Sequence, residues 1–245
     1  MKAYIIKIEL QESDPLIWRR VIIPANATYN RLHDVIQNVT NFKSGYPYDA
    51  YHLFEFDLEK ENMIVTNNEE AFEEHKHYMN NKEEYEKRIK EMPADMQKFA
   101  KRQNEFLEKV VKKPKHYKIS KYLEKYKTIE YIYDFGDNWR FNIILEDIVD
   151  DYYFGFPTVL DGAETAPPED VGGIYAYYEF LKVYHDESHP DHQRAREWGE
   201  GTHFRDFNPE HINKMLKGIQ YQKTNWNMIN HKNYKIIDDK YKKCN

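Results

Sequence analysis

Two histidines and a group of carboxylates in this chain are of the types that hold a divalent cation: His33, His52, Asp134, Asp137, Glu169 and Asp170. Hard and borderline cations are bound by imidazole and carboxylate groups that converge from separate segments on one point. His33 lies in a stretch whose apolar residues have helical spacing, and His52 lies in an alternating strand. Asp137 falls in a Gly136-Asp137-Asn138 turn, and Glu169-Asp170 in a loop stiffened by Pro167-Pro168 and loosened by Gly172-Gly173. Four elements would then bring His33, His52, Asp137, Glu169 and Asp170 to one end of a sheet, around one divalent metal ion. Zinc is the expected ion, and His52 and Glu169 are the leading ligands. The same residues also suit a scaffold. His33 can be a packed helix residue, Asp134 and Asp137 can bond turn amides, and Glu169 or Asp170 can cap the helix after the glycines. Arg19 or Arg20 would pair with these acids. Both readings stand at the level of sequence.

The elements that must position these groups show in the hydrophobic periodicity. Tyr4–Leu10 alternates, and Leu16–Ile23 follows a Ser13-Asp14-Pro15 turn, which predicts a strand hairpin. Thr28 is placed to cap a helix with Leu32, Val35, Ile36 and Val39 on one face. Tyr51–Leu58 alternates again and can pair with Met63–Thr66. Thr128–Phe135 and Trp139–Ile148 flank the Gly136-Asp137-Asn138 turn as a second hairpin. Asp161–Gly173 reads as a loop, and Ile174–His185, His189–Trp198 and Pro209–Gln220 read as helices, the last capped by Asn208. The order predicts an α+β fold, a largely antiparallel sheet covered by helices. Residues 1–220 would form one domain, and 221–245 a lysine-rich tail.

Glu69–Lys113 is of a different character. It carries 11 acidic and 11 basic residues. Tyr85, Ile89, Met92, Met96, Phe99, Phe106 and Val110 recur at spacings of four and three, with Gln103 in the gap, a heptad-like stripe. Pro93 must interrupt it. The expectation is an inserted charged helical pair, 69–91 and 94–112, packed on its own sheet or on a partner. The remaining chain, without this insert and the tail from Lys214, holds 29 acidic against 17 basic residues, and Phe141–Leu181 has nine acids and no Lys or Arg. Such a body favours basic partners or cations over nucleic acid.

Other chemistries are excluded. Cys244, the single cysteine, allows neither an internal disulfide nor a multi-cysteine zinc site. No apolar run reaches the ~18 residues of a spanning helix, and the first residues lack a secretory pattern, so a cytoplasmic protein with no membrane partner is expected. There is no P-loop, GxGxxG, HExxH or GxSxG. Asp134-Phe135-Gly136 matches the kinase magnesium triplet, but the other kinase motifs are missing. His185, His189, Asp191, His192 and His203 have ligand-like spacing, but Pro190 interrupts them, and they read as a solvated loop.

Five segments in order resemble the plasmid pRiA4b ORF-3-like family. They are Pro15-Leu16-Ile17-Trp18-Arg19-Arg20, Leu32-His33-Asp34-Val35-Ile36-Gln37, His52-Leu53-Phe54-Glu55-Phe56, Tyr131 to Trp139, and Pro167 to Gly173. The resemblance implies an α+β protein often carried on mobile elements, with no settled biochemical activity. The insert 69–113 and the lysine tail depart from the shorter family domain. Some members carry a resolvase label, but only Ser13, Ser44, Ser120 and Ser188 are available as nucleophiles, and an acidic body is a poor DNA platform. Nothing assembles a nucleophile, a base and an oxyanion site, so the balance leans away from an enzyme. The leading expectation is a metal-binding, non-enzymatic inhibitor that contacts a basic host-defence nucleoprotein or nuclease, in the manner of an anti-CRISPR. Asp150, Asp151, Asp161, Glu164, Glu83 and Glu84 are its candidate contact residues. The alternatives are a metal-dependent hydrolase of unknown substrate and a plasmid DNA-binding accessory protein that uses the lysine tail.

Overall fold

In the computed structural model, residues 1–43, 52–152, 154–218 and 241 are described. The chain begins with the hairpin β1 (Ala3–Leu10) and β2 (Trp18–Pro24). Ser13 closes its turn: its Oγ donates to the Leu10 carbonyl at 2.7 Å and accepts from the Ile17 amide at 2.9 Å. Helix α1 (Tyr29–Val39) starts where Thr28 Oγ1 accepts from the Arg31 amide, so the expected cap forms. It buries Leu32, Val35, Ile36 and Val39. Strands β3 (Phe54–Leu58) and β4 (Met63–Thr66) follow as an antiparallel pair. Tyr51, the first residue of the expected third strand, lies outside the described residues.

The insert folds as three helices and a strand rather than as a helical pair. They are α2 (Glu69–Asn80), α3 (Lys82–Glu91), α4 (Ala94–Glu108) and β5 (Val110–Lys112). The expected first helix breaks at Asn81, whose φ of -121° and ψ of 18° are not helical. Met92 is extended ahead of Pro93, as a residue before proline prefers. Val110 leaves the heptad-like stripe because the β-branched pair Val110-Val111 joins the sheet edge beside β4. The helices fold back on one another. His75 Nδ1 donates to the Leu107 carbonyl at 2.8 Å, and the Tyr78 and Tyr85 rings meet at 5.2 Å.

After α5 (Ser120–Tyr126), a helix the periodicity does not mark, the second hairpin β6 (Thr128–Tyr133) and β7 (Trp139–Val149) forms as expected. The expected loop from Asp161 begins instead as β8 (Thr158–Ala163), followed by α6 (Gly173–His185), α7 (His192–Gly201) and α8 (Pro209–Leu216). Asn208 caps α8 by accepting from the His211 amide. The eight strands form one sheet in the order β5-β4-β3-β6-β7-β1-β2-β8, parallel only between β4 and β5. One face carries the main core, where Ile6, Ile8, Phe56, Tyr131, Phe141 and Ile143 meet α1 and α8. A smaller cluster around Ile5, Ile22, Tyr152 and Leu160 includes Tyr241. The rest of the lysine-rich tail lies outside the described residues. No described helix is long and apolar enough to cross a membrane.

Arg19, on β2, is 3% exposed and does not pair with the acids of the expected site. Its Nε donates to the Val39 carbonyl at 2.9 Å, Nη1 to those of Trp18 at 2.7 Å and Ala163 at 2.6 Å, and Nη2 to that of Glu164 at 2.8 Å. Burial pushes the guanidinium down to about 10, so it stays charged at neutral pH. Its Cζ lies 4.1 Å from the Phe207 ring centre. Gly162 allows this approach: a Cβ there would stand 2.8 Å from Phe207 and 2.9 Å from the Arg19 side chain. Arg20 bonds Glu146 and lies 3.7 Å from Asp161, again away from the site. Arg19→Met removes four charge-assisted bonds to main-chain carbonyls and should cost about 3 kcal/mol or more in urea unfolding, since a hydrogen bond to a charged group contributes about 1.5–3 kcal/mol. Arg19→Lys should not restore it, because an ammonium lacks the planar fork.

Candidate metal centre

Four side chains converge beyond the end of β6: His52, Asp134, Glu169 and Asp170. Each offers one ligand atom, and these atoms all lie within 4.8 Å of one another. Among the described residues it is the one group of three or more such side chains close enough to share an ion. His52 Nε2 stands 3.2 Å from Asp170 Oδ1 and 3.6 Å from Glu169 Oε1, and Nδ1 stands 3.6 Å from Asp134 Oδ1. Ligands about 2.1 Å from a tetrahedral zinc are about 3.4 Å apart, so the spacing on the Nε2 side could hold an ion, as it also suits a direct His–carboxylate ion pair.

The four donors come from three segments. His52 precedes β3; its carbonyl accepts from Asn67 Nδ2 at 3.1 Å, and its ring stands edge-on to Tyr133. Asp134 follows β6 with a φ of 52°. Its amide donates to the Leu53 carbonyl at 2.9 Å, which ties the β6–β7 turn to the His52 segment, and its Oδ1 accepts from the Gly136 amide at 3.0 Å. Glu169 is 9% exposed. Its Oε1 accepts from the Tyr133 hydroxyl and its Oε2 from the Lys43 amide, both at 2.8 Å. Burial raises the Glu169 carboxyl above its ordinary value, although the Lys43 amide, the Tyr133 hydroxyl and His52 pull it back. Asp170, with a φ of 57°, is the outermost donor, and its side chain is 70% exposed.

The loop that carries Glu169 and Asp170 is fixed along its length. Arg19 holds its start, the Tyr177 hydroxyl donates to the Thr165 carbonyl at 2.6 Å, and Asn41 Nδ2 donates to the Ala166 carbonyl at 2.7 Å. Asn41 also forms a β-bridge to Pro168. Asp137 closes the loop: its Oδ2 accepts from the Gly172 amide at 2.9 Å.

Of the five expected ligands, then, His52, Glu169 and Asp170 are brought together. Asp137 is not among them: it lies outside the group, and its Oδ2 accepts from the Gly172 amide; Asp134, three residues before it in the same turn, takes the place. His33 lies in the core. It is 2% exposed, its Nδ1 is 2.8 Å from the Tyr131 hydroxyl, and its ring stacks on Phe54 at 3.8 Å. Tyr133 and the Lys43 amide were not foreseen; a tyrosine in an alternating strand carries no sign of which carboxylate it will meet. In the second histidine group, His192 Nδ1 bonds the Val183 carbonyl and His189 Nδ1 accepts from the Asp191 amide.

The acidic contact candidates fall in three places and none belongs to the His52 group. Glu83 and Glu84 are on α3, and Glu84 pairs with Arg88 at 2.5 Å. Asp150 and Asp151 follow β7, where the Asp150 carbonyl accepts from the Met1 ammonium and Asp151 Oδ1 from the Tyr241 hydroxyl. Asp161 and Glu164 lie at the other end of β2, where Asp161 faces Arg20.

Fold and site together define an α+β protein with a His/carboxylate centre at one end of its sheet. The chain belongs to the plasmid pRiA4b ORF-3-like protein family, which it matches over residues 2–215. It is 25% identical over 193 residues to the uncharacterized protein y4hQ of Sinorhizobium fredii (strain NBRC 101917 / NGR234), a match covering 79% of this chain and 78% of that one. It is also similar to the crystal structure of the protein of unknown function MM3350 from Methanosarcina mazei Go1. There the TM-score is 0.57 at 27% identity, over 85% of this chain and 96% of the other.

The raised Glu169 carboxyl gives a signed expectation for metal-free protein. Its folded value lies above the unfolded one, so its contribution to stability is full below about pH 4.3 and is lost as pH rises through the folded value. Glu169→Gln cannot titrate. Melting curves of chelated protein should show the variant gaining on the wild type between acid and neutral pH.

Proposed function

We propose that this protein is a metal-binding, non-enzymatic interaction protein, with one divalent ion held by His52, Glu169 and Asp170 and with Asp134 at the far nitrogen of the imidazole. The observation that carries this reading is the convergence of four donor groups from three separate segments within 4.8 Å. Three carboxylates around one imidazole leave an excess of negative charge that a dication offsets. A carboxylate behind a ligating histidine fixes its ring and raises its basicity. We propose zinc because of the imidazole; the carboxylate excess makes manganese its natural competitor. An ion here would join the His52 segment, the β6–β7 turn and the loop before α6 into one surface.

A second reading, a metal-dependent hydrolase, is favoured by one feature. The group opens to solvent on the Asp170 side, where an ion could keep a water and lower its pKa. The partner for the interaction reading is a basic nucleoprotein, of the class an anti-CRISPR would inhibit. What supports it is charge alone, the acidic body and the base-free stretch 141–181.

Elemental mass spectrometry of the untagged protein should find about one zinc per chain, and chelation should lower the melting temperature. His52→Ala should abolish stoichiometric metal while keeping the circular dichroism of the fold. Tyr133→Phe, which removes the hydroxyl that orients Glu169, should weaken zinc binding by about 10–100-fold. Protein that stays metal-free after incubation with zinc or manganese would overturn the proposal. Turnover of a phosphoester or amide panel that His52→Ala removes would favour the hydrolase. Inhibition of a host nuclease in a cleavage assay is the outcome expected of the inhibitor.

A further inference from the structure

The segment that joins the arm to the second hairpin is strongly basic. Residues 109–127 carry eight lysines against one acid, Glu124. The chain as a whole has a net charge of -6, and that average hides a local face of the opposite sign. Three of the eight lysines hold a carboxylate: Lys109 that of Asp57, Lys113 that of Glu69 and Lys125 that of Glu61. Glu124 is taken by Lys2 and the Tyr4 hydroxyl. Lys112, Lys115, Lys118, Lys121 and Lys127 have no carboxylate within ion-pair distance among the described residues. Lys112 is half-buried and the other four are exposed.

These lysines are laid over a run of tyrosine rings. Lys112 Nζ and Lys121 Nζ lie 5.7 and 5.8 Å from the Tyr117 ring centre. Lys121 Nζ also lies 5.0 Å from the centre of Tyr122, and Lys125 Nζ 4.8 Å from that of Tyr126. Tyr122 and Tyr126 stack with 6.4 Å between their centres. The shared rings therefore put Lys112, Lys121 and Lys125 on one strip of surface, and an ammonium within ~6 Å of a ring centre is held there by the ring quadrupole. The backbone beneath is fixed as well. α5 turns Tyr122 and Leu123 inward. The Tyr117 carbonyl accepts from the Tyr29 amide and the Ile119 amide donates to the Ala27 carbonyl, both at 2.9 Å. An ordered surface thus keeps like charges together with their mutual repulsion unrelieved, and a polyanion relieves it.

The surface itself chooses among polyanions. Its ring faces are covered by ammonium groups, so no open platform remains on which the bases of a single strand would stack. None of the large exposed apolar side chains belongs to this segment, so it has no wedge with which to enter a lipid surface. A duplex asks only for positive charge, and it presents one phosphate per ~1.7 Å of its axis. We propose that the α5 face binds the phosphate backbone of double-stranded nucleic acid, without regard to sequence. The surface shares no residue with the His52 centre, and its binding does not depend on a metal ion there.

Fluorescence anisotropy of a short labelled DNA duplex, titrated with the full chain, tests this. The dissociation constant should lie at about 1–100 µM near physiological salt, as for other sequence-independent binding. The logarithm of the association constant should fall against the logarithm of salt concentration with a slope of about -4 to -5, as expected when five lysines neutralise phosphates. Lys115→Gln, Lys118→Gln and Lys121→Gln together should keep the circular dichroism of the fold, because all three are exposed. They should weaken binding to every duplex alike and flatten the slope to about -2. Lys240→Gln, Lys242→Gln and Lys243→Gln, in the C-terminal tail, should leave affinity and slope unchanged. Absence of duplex binding at about 100 µM protein in low salt would overturn the proposal. So would a slope that the α5 substitutions leave intact, or one that the tail substitutions flatten. Tighter binding of a single strand than of the duplex would overturn it too, as would capture by phosphatidylserine vesicles without binding of the duplex.

Discussion

A buried guanidinium whose charge is met by carbonyl dipoles holds this molecule in register. Arg19 joins β2, the last turn of α1 and the exit of β8 through four main-chain oxygens. Burying a cation is costly, and here the cost is offset by turning the donors of one planar group onto four main-chain carbonyls. The residues that follow β8 therefore leave from a fixed point. From there Thr165, Ala166 and Pro168 are tied down in turn, and Glu169 arrives in a place already prepared by Tyr133 and Lys43. Pre-organisation of the centre starts at a residue that does not touch it.

The centre itself is a compromise between burial and charge. Glu169 is nearly enclosed, Asp170 is open, and His52 lies between them. A carboxylate at the closed end is disfavoured as an anion unless a cation is near, while the open end lets a cation arrive without unfolding the loop. The hairpin acids divide the labour. Asp134 turns towards His52, and Asp137 binds the loop that brings Glu169 in. The two carboxylates of one turn thus serve the same place by different means.

Much of this was legible in the sequence where period and chemistry agree. The Thr28 cap, the spacing of Leu32, Val35, Ile36 and Val39, and the alternation of Tyr4–Leu10 each dictate their element locally. β8 was not legible, because Thr158, Asp161 and Gly162 break the alternation and its place depends on pairing with β2. β5 was hidden behind a helical repeat whose last member, Val110, goes to the sheet edge instead. In the centre, residue type was enough to mark His52, Glu169 and Asp170. It could not separate Asp134 from Asp137, three residues apart in one turn, because only the fold places Asp134 Oδ1 beside His52 and Asp137 Oδ2 on the Gly172 amide. Nor could it show that His33 stacks on Phe54, a contact between segments about 20 residues apart.

The placement of β5 makes the arm a plug in the edge of the sheet. β4 and β5 run side by side in the same direction, with Met63 opposite Val110 and Val65 opposite Lys112. The excursion between them starts and finishes within about 10 Å, one short strand length. The pairing of β4 with β5 therefore fixes the two ends of the arm and not what lies between them. One residue limits that freedom. Asn67, at the root of the arm, grips both the His52 carbonyl and the Phe54 amide before Asn68 caps α2. Any replacement for the arm inherits this collar, and a load on the arm would be transmitted through it to the imidazole.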